Sequence, residues 1–268
     1  MIKDCPDILR KIVETKKVEL CELRKFLPDF RKQAGNAPAP LSFKNALTAP
    51  GLSVIAEIKK ASPSAGIISE QFEPEKIAAA YMKGNAAAVS ILTDKQYFKG
   101  NIEYIRKLRD LITVPVLRKD FIIDPLQIYE ARAYGADTFL LIAAILEKNQ
   151  LEDMIEEGRS LGMEPLVESH NEYELEKTVE AGAEIIGINN RNLHTFEVDI
   201  DLARRIRPMI PETAISVAES GIRSPEDAVK IADAGYNAIL VGEALMRSGL
   251  EKCPDVIKEM SLGKNPAV

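Results

Sequence analysis

The sequence predicts an α/β fold, a (β/α)8 TIM barrel carrying an N-terminal helical extension, on three observations. After Ser53, short apolar runs alternate with helix-length amphipathic segments through eight repeats. A glycine-led phrase precedes every second run: Gly84-Asn85-Ala86, Gly135-Ala136-Asp137, Gly182-Ala183-Glu184 and Gly235-Tyr236-Asn237. These phrases lie about 50 residues apart, the length of two β-α units. Finally, 268 residues with 46% hydrophobic content suit one large α/β domain with a sizeable core. The expected division is an extension over 1–50 packed on a barrel over 51–268, a single domain overall.

The extension opens with Ile8, Ile12, Val13, Leu20, Leu23 and Phe26 spaced among charges, an amphipathic helix from about Asp7 to Leu27 that is expected to stop at Pro28. Gly35, Pro38 and Pro40 mark the next stretch as a linker, closed by a short helical piece at Ser42 to Leu47. Barrel strands are expected near 53–59, 86–92, 115–119, 137–142, 163–168, 184–189, 214–219 and 237–242. Asp124-Pro125 and Ser224-Pro225 signal helix starts, because proline at the first helical position lacks only an N–H that would be unbonded there anyway. Each glycine of the recurring phrase is expected to close a helix in the left-handed conformation. A doubly wound open sheet is the alternative, disfavoured because no apolar run leads into a G-x-G-x-x-G turn.

Composition narrows the function. A net charge of −6 and a pI of about 5.3 argue against nucleic-acid or membrane-surface partners, while local positive pockets for a small anionic substrate remain compatible with them. No apolar run approaches the ~20 residues that span a bilayer, and the first residues lack a signal-peptide pattern, so a cytoplasmic protein is expected. Cys5, Cys21 and Cys253 have no paired spacing and none falls at a strand end, which fits a reduced compartment and disfavours thiol chemistry. His170 and His194 are isolated and are expected to be ordinary surface or loop residues, so no metal site is predicted.

Candidate chemistry sits where strands end, since barrel sites lie at the carboxyl face. The run Val54-Ile55-Ala56-Glu57-Ile58-Lys59 places a carboxylate and an ammonium on one side of the first strand, and Ser62-Pro63-Ser64 turns the chain back. Lys119 ends the third strand, Glu168 the fifth, Asn189 the sixth and Glu219 the seventh. Period-two parity puts these on the faces of Ile55, Leu117, Leu166, Gly187 and Val217, so all should converge inside the barrel. Two ammonium groups among three carboxylates are a means of moving pKa values toward neutrality for acid and base work. Ser220-Gly221 after the seventh strand and Gly242-Glu243 after the eighth fit a phosphate site built on backbone N–H groups.

These stretches carry a resemblance. Glu57-Ile58-Lys59-Lys60-Ala61-Ser62-Pro63-Ser64, Ile91-Leu92-Thr93-Asp94, Leu117-Arg118-Lys119-Asp120-Phe121, Glu164-Pro165-Leu166-Val167-Glu168, Gly187-Ile188-Asn189-Asn190-Arg191, Ala218-Glu219-Ser220-Gly221 and Val241-Gly242-Glu243-Ala244 together resemble the indole-3-glycerol-phosphate synthase family along nearly the whole chain. The resemblance implies conversion of 1-(2-carboxyphenylamino)-1-deoxyribulose 5-phosphate to indole-3-glycerol phosphate in tryptophan biosynthesis, releasing CO2 and water without metal or organic cofactor. It implies Lys119 as general acid, Glu168 as acid or base in dehydration, and Glu57, Lys59, Asn189 and Glu219 as positioning and polarising groups. It implies Arg191 for the anthranilate carboxylate, Ser62, Ser220, Gly221, Gly242 and Glu243 for phosphate, and Phe98, Phe121 and Leu193 as an apolar wall. A monomer is expected. The competing readings are another phosphosugar barrel, such as an isomerase using a Cys and Asp pair, and a barrel that binds a phosphorylated metabolite without turnover.

Overall fold

A computed structural model describes residues 6–69 and 71–261, and Cys5 lies outside the described residues. Eight parallel strands close into a barrel: Ser53–Ile58, Ala88–Leu92, Val116–Lys119, Thr138–Ile142, Leu166–Ser169, Ile185–Asn189, Ile215–Glu219 and Ala238–Val241. Each pairs with its neighbours in chain order, and the first pairs with both the second and the eighth, which overturns the open-sheet alternative. Strands covered by helices outside and by one another inside read as near-continuous apolar runs, and here they are buried throughout except at Lys119. The fifth strand begins at Leu166, later than expected, because Pro165 has no N–H to give the ladder.

Register delivers the polar residues inward. Glu57 pairs with Ser90 and Ser90 with Leu117, Glu168 pairs with Gly187, and Asn189 pairs with Glu219. Cross-strand partners leave the same face of the sheet, so these side chains share the interior. The alternate residue Arg118 points outward, where its guanidinium reaches the Gln127 carbonyl and the Glu130 carboxylate of a surrounding helix.

The extension differs from expectation. Helix Asp7–Leu23 passes through a 3-10 turn, Arg24–Phe26, into a second helix, Leu27–Asn36. Pro28 occupies the first turn of that second helix and so begins it, where no intrahelical N–H bond is lost. The stretch expected to be a linker therefore packs, burying Phe30 and Ala34 against the side of helix Pro125–Ala133. Along the first helix the buried stripe is Leu9, Ile12, Lys16 and Leu20, while Phe26 stays 45% exposed. Ser42 caps the short helix Phe43–Leu47 by accepting from the Asn45 N–H at 3.1 Å.

Both proline-marked starts are capped: Asp124 accepts from the Leu126 N–H at 2.9 Å, and Ser224 from the Asp227 N–H at 3.4 Å. Gly135, Gly182 and Gly235 are left-handed, with φ of 94°, 78° and 88°. In the first phrase that role passes to Asn85, φ 60°, and Gly84 is right-handed. Gly84 serves packing instead, since a Cβ there would sit 2.9 Å from Ile257 Cδ1 on the last helix, Glu243–Met260. Among the described residues, no helix is long and apolar enough to cross a membrane.

Candidate active site

The carboxyl ends of the strands open into a cavity of about 470 Å3, closed on one side by Ile8, Leu9 and Ile12 of the first helix. Every residue singled out from the sequence for chemistry or binding lines it. The strand ends supply Glu57, Lys59, Lys119, Glu168, Asn189 and Glu219. Phe98, Phe121 and Leu193 form an apolar side, the two rings 5.9 Å apart and tilted by 40°. Ser62, Arg191, Ser220, Gly221, Gly242 and Glu243 complete the rim. Ser62 is held by a two-residue hairpin, Ala61–Ser62 against Gly66–Ile67, which extended the sequence reading of this stretch as a turn.

At the floor, Lys119 Nζ lies 2.7 Å from Glu168 Oε2 and 2.9 Å from Glu219 Oε2. Lys59 Nζ forms a separate pair with Glu57 Oε1 at 2.5 Å. Burial alone would favour a neutral Lys119, but the Glu168, Glu219 and Glu57 carboxylates outweigh it and hold the ammonium above its ordinary range. Burial pushes Glu219 up, and repulsion from Glu168 adds to it against the attraction of Lys119, leaving the carboxyl at about 8. Glu168, equally buried, is instead drawn well below its ordinary value by Lys119 and by His170. Glu219 is thus the group moved toward neutrality, while Lys119 is held as an ammonium by the carboxylates around it, as its place at the end of the third strand among Glu57, Glu168 and Glu219 leads one to expect. Gly187 makes the room: a Cβ there would overlap Glu219 Oε1.

The far rim is shaped for an anion. Ser220 and Gly221 are consecutive left-handed residues, φ 65° and 81°, and Gly242 precedes a short helical run that starts at Glu243 and breaks at the left-handed Gly249, φ 77°. Glu243 is engaged by Arg247 at 2.9 Å, which offsets its negative charge near that N-terminus. Both glycines also have packing reasons. A Cβ on Gly221 would meet Val198 Cγ1 at 2.5 Å, and one on Gly242 would overlap Glu57 Oε1. Asn189 Oδ1 accepts from the Arg191 N–H at 3.0 Å, and the Arg191 guanidinium donates to the Phe196 carbonyl at 3.0 Å, fixing the loop that faces Gly221.

Two features escaped the sequence. His170 is not a surface residue: its side chain is 9% exposed and its ring sits between Glu168 and Glu174. His194 is exposed, as expected. The second is a buried ion cluster behind the aromatic side. Lys16 Nζ, from the first helix, lies 2.9 Å from both Asp94 Oδ2 and Asp120 Oδ1. Asp94 Oδ1 accepts from the Tyr97 and Phe98 N–H groups, and Asp120 Oδ1 accepts from the Phe121 N–H, so the cluster anchors both aromatic loops. Cys21 is exposed and Cys253 buried, both as free thiols, and no group of metal-ligating side chains occurs among the described residues.

A closed parallel barrel with buried acid and base groups at the carboxyl ends of its strands defines the class, a (β/α)8 barrel enzyme. Residues 9–257 match the family model described as indole-3-glycerol phosphate synthase, and the chain belongs to that family. Relatives described as indole-3-glycerol phosphate synthase include one from Carboxydothermus hydrogenoformans, 46% identical over 90% of this chain and 95% of the relative. Another, from Desulfotalea psychrophila, is 46% identical over 95% of this chain and 98% of the relative. A third, from Mycolicibacterium gilvum, is 48% identical over 83% and 82%. Solved structures share the architecture at low identity. One described as "Native KDPGal structure" superposes with a TM-score of 0.56 at 19% identity over 78% of this chain and 92% of the other. A mandelate oxidase variant gives 0.59 at 14% over 78% and 72%.

Proposed function

We propose that the chain closes the ring of 1-(2-carboxyphenylamino)-1-deoxyribulose 5-phosphate, with loss of CO2 and water, to give indole-3-glycerol phosphate. It would then be a carboxy-lyase of tryptophan biosynthesis. The observation that carries this reading is Lys119, paired with Glu168 and Glu219 in the same cavity as the Phe98 and Phe121 rings. In the reaction, the ring carbon bearing the carboxylate attacks the ketone carbon, and negative charge grows on the ketone oxygen. An ammonium aimed at that oxygen donates a proton and neutralises the charge as it develops. Breaking the bond to the carboxylate then restores aromaticity as CO2 departs. The hydroxyl next leaves as water, for which Glu168 serves as the proton-transfer partner and Glu219 as the bearer of a proton. Glu57, Lys59 and Asn189 orient the sugar, Phe98, Phe121 and Leu193 hold the aromatic ring, and Arg191 takes its carboxylate. Phosphate would rest on Ser62, Ser220, Gly221 and the N–H groups of Gly242 and Glu243.

The same reading makes the chain a monomeric cytoplasmic enzyme that takes a small phosphorylated substrate, with no cofactor, metal, nucleic acid or membrane involved. Its support is the net negative charge of the chain together with the mixed-charge cavity at the strand ends. Purified protein supplied with the substrate should yield the fluorescent indole product. Absence of that product, with substrate still bound, would favour a binding barrel without turnover.

A further inference from the structure

One buried titratable side chain outside the roles above touches the reacting cluster. His170 follows the fifth strand, and its Nε2 lies 3.2 Å from Glu168 Oε1, while its Nδ1 lies 3.0 Å from Glu174 Oε2. Glu168 Oε2 faces Lys119, so the two oxygens of this carboxylate meet different nitrogen groups. Glu174 is itself immobilised in the first turn of helix Glu172–Glu180. Its Oε2 accepts from the His170 N–H at 2.8 Å, its Oε1 accepts from Asn171 Nδ2 at 2.8 Å, and its own N–H donates to the Asn171 side chain at 2.9 Å. A helix cap thereby fixes Glu174, Glu174 fixes His170, and His170 faces the reacting carboxylate. The His170 Nε2 contact is an ion pair outside hydrogen-bond geometry, and Glu219 has no such second cation: its Oε2 shares Lys119, and its Oε1 has neither a hydrogen bond nor an ion pair among the described residues.

We infer that His170 is a positioning residue, an imidazolium held by Glu174 that orients the Glu168 carboxylate, keeps it unprotonated and leaves the exchangeable proton of the site to Glu219. The inference rests on the proposed lyase reaction for its kinetic meaning, though not for its electrostatics. Burial alone would neutralise His170, but Glu168 and Glu174 push it up to about 10. These two carboxylates are the charged groups facing the ring. Lys119 and Glu219 reach it through Glu168, and Lys177 lies behind Glu174 on the same helix.

The test is the pH dependence of turnover in His170→Ala, His170→Gln and Glu174→Gln. Removing an opposite charge at this distance raises a carboxyl pKa by roughly one to three units, so the acid limb of the kcat profile should move up by that amount in both His170 variants. Glutamine retains a hydrogen-bond donor without the charge and should shift the limb as alanine does. Glu174→Gln leaves the ring charged across that limb and should leave the limb near wild type, and KM on the alkaline plateau should stay near wild type in all three. In the two His170 variants, a uniform fall in kcat with the limb unmoved would mean a packing role and overturn the inference, as would wild-type profiles. NMR titration of the His170 ring needs no turnover: a midpoint near 10 that falls in Glu174→Gln is expected, and an ordinary midpoint in wild type overturns the inference even if a variant fails to fold. A wild-type chain that makes no indole product while this midpoint holds would sink the lyase reading alone.

Discussion

Two buried charge clusters lie at the same mouth of the barrel, and they are built on opposite terms. In the one behind the aromatic side, Lys16 is shared by Asp94 and Asp120, and Arg118 by Asp120 and Glu130. Burial would push Asp120 up, yet Arg118, Lys16 and the Thr93 hydroxyl bring it down to about 2, and Lys16 is held above its ordinary range. Lys16, Arg118 and Asp120 are each held in their charged forms by their neighbours. In the cluster on the cavity floor, Glu219 is raised to about 8, and its Oε1 has neither a hydrogen bond nor an ion pair among the described residues, whereas Asp94 Oδ2 and Glu130 Oε2, also outside hydrogen-bond geometry, lie 2.9 and 2.8 Å from a cation. Ion-paired carboxylates fix loops, whereas a carboxyl oxygen left without a cation beside open space leaves a proton free to move.

The largest test of this contrast replaces Lys119 with Met, which keeps volume and removes the charge. A positioned general acid contributes ~10²–10⁴-fold, so the single-turnover rate should fall at least that far with substrate affinity little changed. If more than about a tenth of the rate survives, Lys59 becomes the leading acid. Lys16→Met should do the reverse. Stranding Asp94 and Asp120 costs about 3–5 kcal/mol, a drop of roughly 10 °C in Tm for a chain of this size. The chemical step should persist while KM rises, because the Phe98 and Phe121 loops lose their anchor. Asp120 is depressed in the folded state, so its contribution is complete above its unfolded pKa of ~3.9 and is lost as pH falls through about 2. Acid unfolding should therefore begin at higher pH in the variant. A Lys16→Met protein as stable as wild type, or one that loses its chemical rate, would break the contrast.

A smaller effect is expected at the phosphate rim. Gly221→Val places a branched side chain at φ 81° against Val198 and should raise KM at least tenfold, about 1.4 kcal/mol. Equal competition by inorganic phosphate in both proteins would place the phosphate elsewhere. The smallest concerns Glu219→Gln. A carboxyl raised in the folded state contributes its stability fully below its unfolded pKa, near 4.5, and loses it as pH rises through about 8. Above that pH the glutamine variant should melt a few degrees higher than wild type even as its turnover falls.

Much of this was legible in the sequence, for a definite reason. Period-two parity in apolar strands leaves a polar residue at the strand end one direction to point, so Glu57, Lys119, Glu168, Asn189 and Glu219 can be brought together from the sequence alone. What was hidden depended on partners remote in the chain. Lys16 reads as one more charge on an amphipathic helix, and only the approach of Asp94 and Asp120 from two loops makes its burial tolerable. His170 reads as isolated because Glu174 meets it through a helix cap rather than a motif. Pro28 carries the same signal whether it ends one helix or begins the next, and packing of Phe30 decided which. Asn85 stood in for a glycine because asparagine tolerates the left-handed conformation.

The most direct test of the contrast is a side-chain carboxyl titration by NMR on protein labelled at Glu and Asp. The account predicts one glutamate with a midpoint near 8, absent from Glu219→Gln, while Asp120 stays ionised down to about 2. A Glu219 carboxyl that titrates in the ordinary range, or an Asp120 that titrates beside it, would contradict the account.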